Sequence, residues 1–136
     1  MIQRIQTIWL LLASATIFLT LQFPFYSGTL SADNATHYLN ATDNFILLVI
    51  TSLLGSAIFI AIFLFKKRPI QFRICLTAIF SELLVLFLYY RQIQLYSKGI
   101  LAWSAIFHLL FLFFLILAMR GIHKDDKLIR ESNRLR

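Results

Sequence analysis

One cysteine, two prolines and four glycines are scattered through the 136 residues, and six acidic side chains face thirteen lysines and arginines. A lone Cys75 excludes an intramolecular disulfide, a CxxC redox pair and a cysteine metal cluster. The glycines form no phosphate-cradling loop, and no nucleophile elbow is present. Glu82 is the one acid inside an apolar segment and has no second acid beside it, so paired-carboxylate catalysis is excluded. His37, His123 and the other acids fall in connectors or in the tail, which leaves no ligand set for a metal. The chain is therefore expected to be neither an enzyme nor a cofactor carrier. A further absence is local: from Tyr26 to Asn44 there is not one Lys or Arg.

What the chain does have is apolar sequence. Hydrophobic residues make up 60% of it and its mean hydropathy is +0.78, far outside soluble composition. Four apolar segments, at about 5–25, 45–65, 70–90 and 100–119, are each long enough to span a bilayer as a helix. The first exceeds the core of a signal peptide and Leu30-Ser31-Ala32 is a poor cleavage site, so a retained helix is expected. Thr42, Asp43 or Asn44 can cap the second segment, and Pro69 suits the first turn of the third. The third and fourth are joined by a polar turn, Arg91 to Gly99. Ser52, Gly55, Ser56, Ala57 and Ala61 give the second segment a small-residue face matching Ala13, Ser14 and Ala15 on the first. Two sequons, at Asn34 and Asn40, match the glycosylation pattern, which is short enough to arise by chance.

The formal charge of +7 would suit nucleic acid if it were spread over a polar domain. Instead the cations flank apolar segments, so charge encodes orientation and no nucleic-acid partner is expected. Eleven of the thirteen, Arg4, Lys66, Lys67, Arg68, Arg73, Arg120, Lys124, Lys127, Arg130, Arg134 and Arg136, lie at one side; Arg91 and Lys98 lie at the other. Both termini are then cytoplasmic by the positive-inside tendency. All five tyrosines and Trp103 fall on the opposite side, while Trp9 sits toward the inner interface, and this aromatic belt agrees with the charges. The expected fold is all-α: an integral membrane four-helix antiparallel bundle with no soluble domain.

Two side chains stand out within it. Glu82 lies roughly 12 Å below Tyr90 and His108 roughly 12 Å below Ile100, so in an antiparallel hairpin they share one depth. An acid at mid-membrane costs about 2.5–3.5 kcal/mol on insertion scales and needs a partner, a wet cavity or a proton. Helical spacing groups Ala78, Ser81, Glu82, Val85 and Tyr89 on one face, and Leu101, Ser104, Ala105, His108 and Leu112 on another. A Glu82–His108 contact away from lipid is expected, either as a proton-sensitive site or as a bond that fixes helix register. Gln22 reads as an interfacial residue.

The tail, residues 120–136, carries a second candidate. As a helix it aligns Arg120, Lys124, Lys127, Arg130 or Glu131, and Arg134 in a mainly basic stripe, with Ile122, Leu128, Ile129 and Leu135 grouped on another side. Together with Arg4 and Arg136 the stripe can dock a cytoplasmic partner or anionic lipid. The two ends, Met1-Ile2-Gln3-Arg4-Ile5-Gln6-Thr7 with Trp9 to Ala13, and Gly121 to Arg130 with Arg134-Leu135-Arg136, resemble an uncharacterised domain-of-unknown-function family of small four-helix inner-membrane proteins of Bacteroidota. The resemblance implies a multi-pass protein of the bacterial inner membrane and no reaction, and it makes modification of the sequons unexpected. The expected role is a non-enzymatic accessory subunit of a larger inner-membrane complex, in contact with lipid and with other membrane proteins. The alternative is a small oligomeric transporter or channel in which Glu82 and His108 exchange a proton.

Overall fold

The computed structural model describes residues 5–30 and 35–134. Four helices, α1 (Ile5–Leu19), α2 (Phe45–Phe63), α3 (Arg68–Ile93) and α4 (Ala105–Arg134), alternate with three short strands, β1 (Tyr26–Leu30), β2 (Thr36–Leu39) and β3 (Tyr96–Leu101). Each helix packs on two others: α1 on α4 and α2, and α3 on α2 and α4. Contacts fix their directions. Gln6 and Trp9 of α1 meet Gly121 and Phe114 of α4, and Phe23 beyond α1 meets Phe107, so α1 and α4 run antiparallel. Gln71, in the first turns of α3, donates from Nε2 to the Ala61 carbonyl near the end of α2 at 3.0 Å, which ties that turn shut inside the bundle.

Three of the helices, α2, α3 and α4, are long and apolar enough to cross a membrane. Their inward stripes repeat every three or four residues: Leu47, Thr51, Leu54, Gly55, Ile58 and Ala61 on α2; Gln71, Cys75, Ala78, Glu82, Val85 and Tyr89 on α3; His108, Phe111, Leu115, Ala118 and Ile122 on α4. The outward faces are just as apolar, with Leu53, Phe80, Leu109 and Phe113 exposed, as a helix surrounded by lipid requires. Hydroxyls in these helices bond back to their own carbonyls, Ser52 to Val49 and Ser56 to Ser52, which satisfies them without water.

The first segment is shorter than its apolar sequence suggests. The α-helix stops at Leu19, 15 residues long, and the chain goes on through Leu21 and Gln22 by tighter bonds to the carbonyls of Phe18 and Leu19. Pro24 then ends it. Asn44 is the residue that caps α2, its Oδ1 accepting from Ile46 N at 3.0 Å, and Pro69 occupies the first turn of α3.

The expectation of a purely α-helical chain is corrected by a three-stranded antiparallel sheet in the order β2-β1-β3. The polar stretch after Pro24 is a hairpin, and β3 adds to its other edge with Gly28 opposite Gly99. The fourth helix accordingly opens at Ala105 rather than near Ile100, and α3 runs on to Ile93 through part of the expected polar turn. The tail is no separate element: α4 continues unbroken through residues 120–134.

One small residue of the expected α2 face, Gly55, packs against α1, where it meets Phe18 rather than Ala13, Ser14 or Ala15. A methyl group at Gly55 would stand 2.8 Å from the Phe18 ring. Gly55→Leu is therefore expected to destabilise the protein by about 1–3 kcal/mol, as overpacking does. Gly55→Ala should cost less, because the ring tip it meets belongs to a partly exposed side chain that can swing aside. Thermal unfolding in detergent of the two variants measures the difference.

Candidate functional site

The structure brings Glu82 and His108 together. His108 Nδ1 lies 2.5 Å from Glu82 Oε1, and both side chains are closed off from the surface, at 0% and 1% exposure. A hydrogen bond joins the two atoms, donated by an imidazole N–H or by the carboxyl O–H. Each buried polar group thereby has the partner that burial requires. Helical spacing places each partner: Glu82 belongs to the Ala78, Glu82, Val85, Tyr89 stripe of α3, and His108 to the His108, Phe111, Leu115 stripe of α4.

The face expected for α4 needs correction. Leu101 is an exposed residue of β3, and Phe111 and Leu115, rather than Leu112, continue inward from His108. Leu101 and His108 sit on different kinds of secondary structure, so helical spacing does not relate them.

Aromatic rings cover the pair on the sheet side. Phe25 stacks on Tyr89 with ring centres 4.2 Å apart and meets His108 edge-on at 5.2 Å, while Tyr89 meets His108 edge-on at 5.4 Å. Phe25 is held by its backbone: its N–H donates to the Leu39 carbonyl at 2.8 Å, and its carbonyl accepts from Ala102 N at 3.0 Å. Ser104 Oγ also donates to the neighbouring Pro24 carbonyl. The sheet thus positions the ring that caps the buried pair. Nothing in the sequence singles out Phe25, because its partners come from residues 14 and 77 positions away and no local pattern records them. Two buried atoms here have no hydrogen-bond partner, Glu82 Oε2 and the Tyr89 hydroxyl.

The basic residues form a separate group at the other end. Lys127 and Arg130 are 72% and 79% exposed on the α4 extension, each beside an acid one turn away, Glu131 at 3.9 Å and Asp126 at 2.9 Å. Lys124 is exposed and Ile122 is buried against the bundle. Arg134 closes α4, whereas Arg4 and Arg136 lie outside the described residues. Among the described residues no group of three His, Cys, Asp or Glu is placed to hold a metal ion.

Comparison with curated proteins and with solved structures finds no match. A family does match, over residues 2–135 and so nearly the whole chain, bundle and sheet alike. A helical protein with a buried Glu–His pair under an aromatic cap and a basic helix projecting from the far end, this chain belongs to the family described as Domain of unknown function (DUF4293).

Proposed function

We propose that the chain is a non-enzymatic accessory subunit of a larger protein complex in a bacterial inner membrane, crossing four times with both termini in the cytoplasm. The observation that carries this reading is the unbroken α4. At 30 residues it extends about 45 Å, against a hydrocarbon layer of about 30 Å, so its final turns stand clear of the bilayer as a rigid basic rod. Exposed Lys124, Lys127 and Arg130 on such a rod form a docking surface whose geometry is fixed before any partner arrives. Helix α1 crosses with the help of the tight turn beyond Leu19 and of its packing against α2 and α4.

The test is co-purification from native membranes. The wild-type chain should retain a larger membrane complex, and Arg130→Glu, Arg134→Glu and Arg136→Glu combined should lose most of it while the protein stays folded. Undiminished recovery of the complex would sink the docking reading. The alternative, an oligomeric transporter, is favoured by the two unpartnered buried atoms, Glu82 Oε2 and Tyr89 Oη, which a travelling proton would use. It requires a pH-dependent flux that Glu82→Gln abolishes; the accessory reading requires that Glu82→Gln leave the complex intact.

A further inference from the structure

The first turns of α3 and the α4 extension flank an open cleft of about 250 Å³. Arg68, Arg73 and Arg130 line it together with His123, and Phe72 contributes an apolar wall. The cleft contains one carboxylate, Asp126, which Arg130 already engages at 2.9 Å. Three guanidinium groups therefore meet one acid. Among the described residues no ion pair involves Arg68 or Arg73, and the Nε of Arg68 is buried without a hydrogen-bond partner. A buried, unpaired guanidinium N–H costs free energy unless an anion reaches it.

We propose that this cleft binds the phosphate group of an anionic phospholipid. Guanidinium forks match phosphate oxygens in pairs, and the positive end of α3 lies at the same place and favours the same charge. The mixture of an apolar wall with arginines fits a molecule that is itself half apolar. The flank of α3 one turn further along, with Leu76 at its surface, offers an acyl chain a path into the bilayer. Basic pockets between helices at the cytoplasmic face are suited to such headgroups. This inference rests on the membrane orientation proposed above and not on the docking role of the tail.

The experiment uses the full chain in detergent, scored by lipid retained in native mass spectrometry and by lipid-induced thermal stabilisation. The probes are phosphatidylglycerol, phosphatidylcholine and inorganic phosphate. Phosphatidylglycerol should bind the wild type in preference to phosphatidylcholine, and Arg73→Gln with Arg130→Gln should weaken that binding by at least about tenfold. Both of these residues are exposed, so their replacement spares the fold. Lys124→Gln with Lys127→Gln, which removes equal charge outside the cleft, should change it by less than about twofold. Equal losses in the two double variants would reduce the effect to diffuse surface charge and overturn the proposal. Saturation by millimolar inorganic phosphate with no preference for the lipid would overturn the lipid assignment. Weaker lipid binding in Arg73→Gln alone, which leaves every cation of the docking rod in place, with the membrane complex still recovered, separates this site from the docking rod.

Discussion

Glu82→Leu is expected to destabilise the detergent-solubilised protein by about 1–3 kcal/mol, the range for leaving one partner of a buried hydrogen bond unsatisfied. The size of the effect comes less from the lost bond than from what is left behind. His108 is 1% exposed, and with Glu82 gone its Nδ1 loses the partner it has among the described residues. His108→Leu is expected to cost a similar amount for the mirrored reason, since the Glu82 carboxyl then loses the one bond it makes. The double variant Glu82→Leu, His108→Leu should be more stable than either single variant, because two apolar side chains replace both polar ones in a buried site. Glu82→Gln should cost the least, as an amide still offers His108 a hydrogen bond. Unfolding curves in mixed micelles on all four variants close the cycle. If Glu82→Leu costs under about 1 kcal/mol, or if the two single costs simply add, the pair does not hold the helices together.

Much of this arrangement was legible because its causes are short in range. Three-and-four spacing gives the inward stripe of α3, Glu82 included; the equal helix rise counted from Tyr90 and from Ile100 does not hold, because α3 runs on to Ile93 and α4 opens only at Ala105. The cap at Asn44 and the place of Pro69 in the first turn of α3 are likewise local. The sheet was missed because its strands, Tyr26–Leu30, Thr36–Leu39 and Tyr96–Leu101, are four to six residues long, and one of their two pairings spans some seventy positions. Such segments read as polar connectors. The start of α4 was misplaced with them: Ile100 and Leu101 are apolar enough to belong to a span, yet pairing with β1 holds them extended. In α1 the composition overstates the helix, because Gln22 and Pro24 impose a tight turn that hydropathy does not register. The Arg68–Arg73–Arg130 cleft was invisible for a different reason. Charge counting assigned these cations an orientation role, and only the return of α4 past the start of α3 brings them around one space.

The two ends of the bundle are consequently unlike in kind. At one end the chain spends three strands and a stacked ring to close a polar pair off from water. At the other a helix runs on past the bundle and leaves cations open. A conduit for protons needs access to Glu82 from both sides, whereas Phe25 and Tyr89 stand across it on the sheet side. A docking subunit needs a rigid interior and one free end, and that asymmetry favours the accessory reading.

Gly99→Val is expected to open the sheet end and expose the pair beneath it. Gly28 and Gly99 face each other across β1 and β3, and the Tyr26 ring lies against both. A methyl group at Gly99 would stand 2.5 Å from the Ser27 carbonyl oxygen and 2.6 Å from the Tyr26 ring; at Gly28 it would stand 2.5 Å from the Lys98 carbonyl oxygen. Two of these neighbours are backbone, which cannot rotate aside, so the strands themselves must separate, at about 1–3 kcal/mol. Separation of β1 from β3 pulls on Phe25, since its carbonyl accepts from Ala102, just past β3, while its N–H donates to Leu39 at the end of β2. The Glu82 carboxyl should then react with a water-borne carbodiimide in the Gly99→Val variant and resist it in the wild type. Lys98→Val is the matched control: its side chain is exposed and a β-branched residue suits a strand, so both stability and Glu82 reactivity should stay as they are. A Gly99→Val protein of native stability with Glu82 still unreactive would show that the aromatic cap stands without the sheet, and the coupling between the two would have to be abandoned.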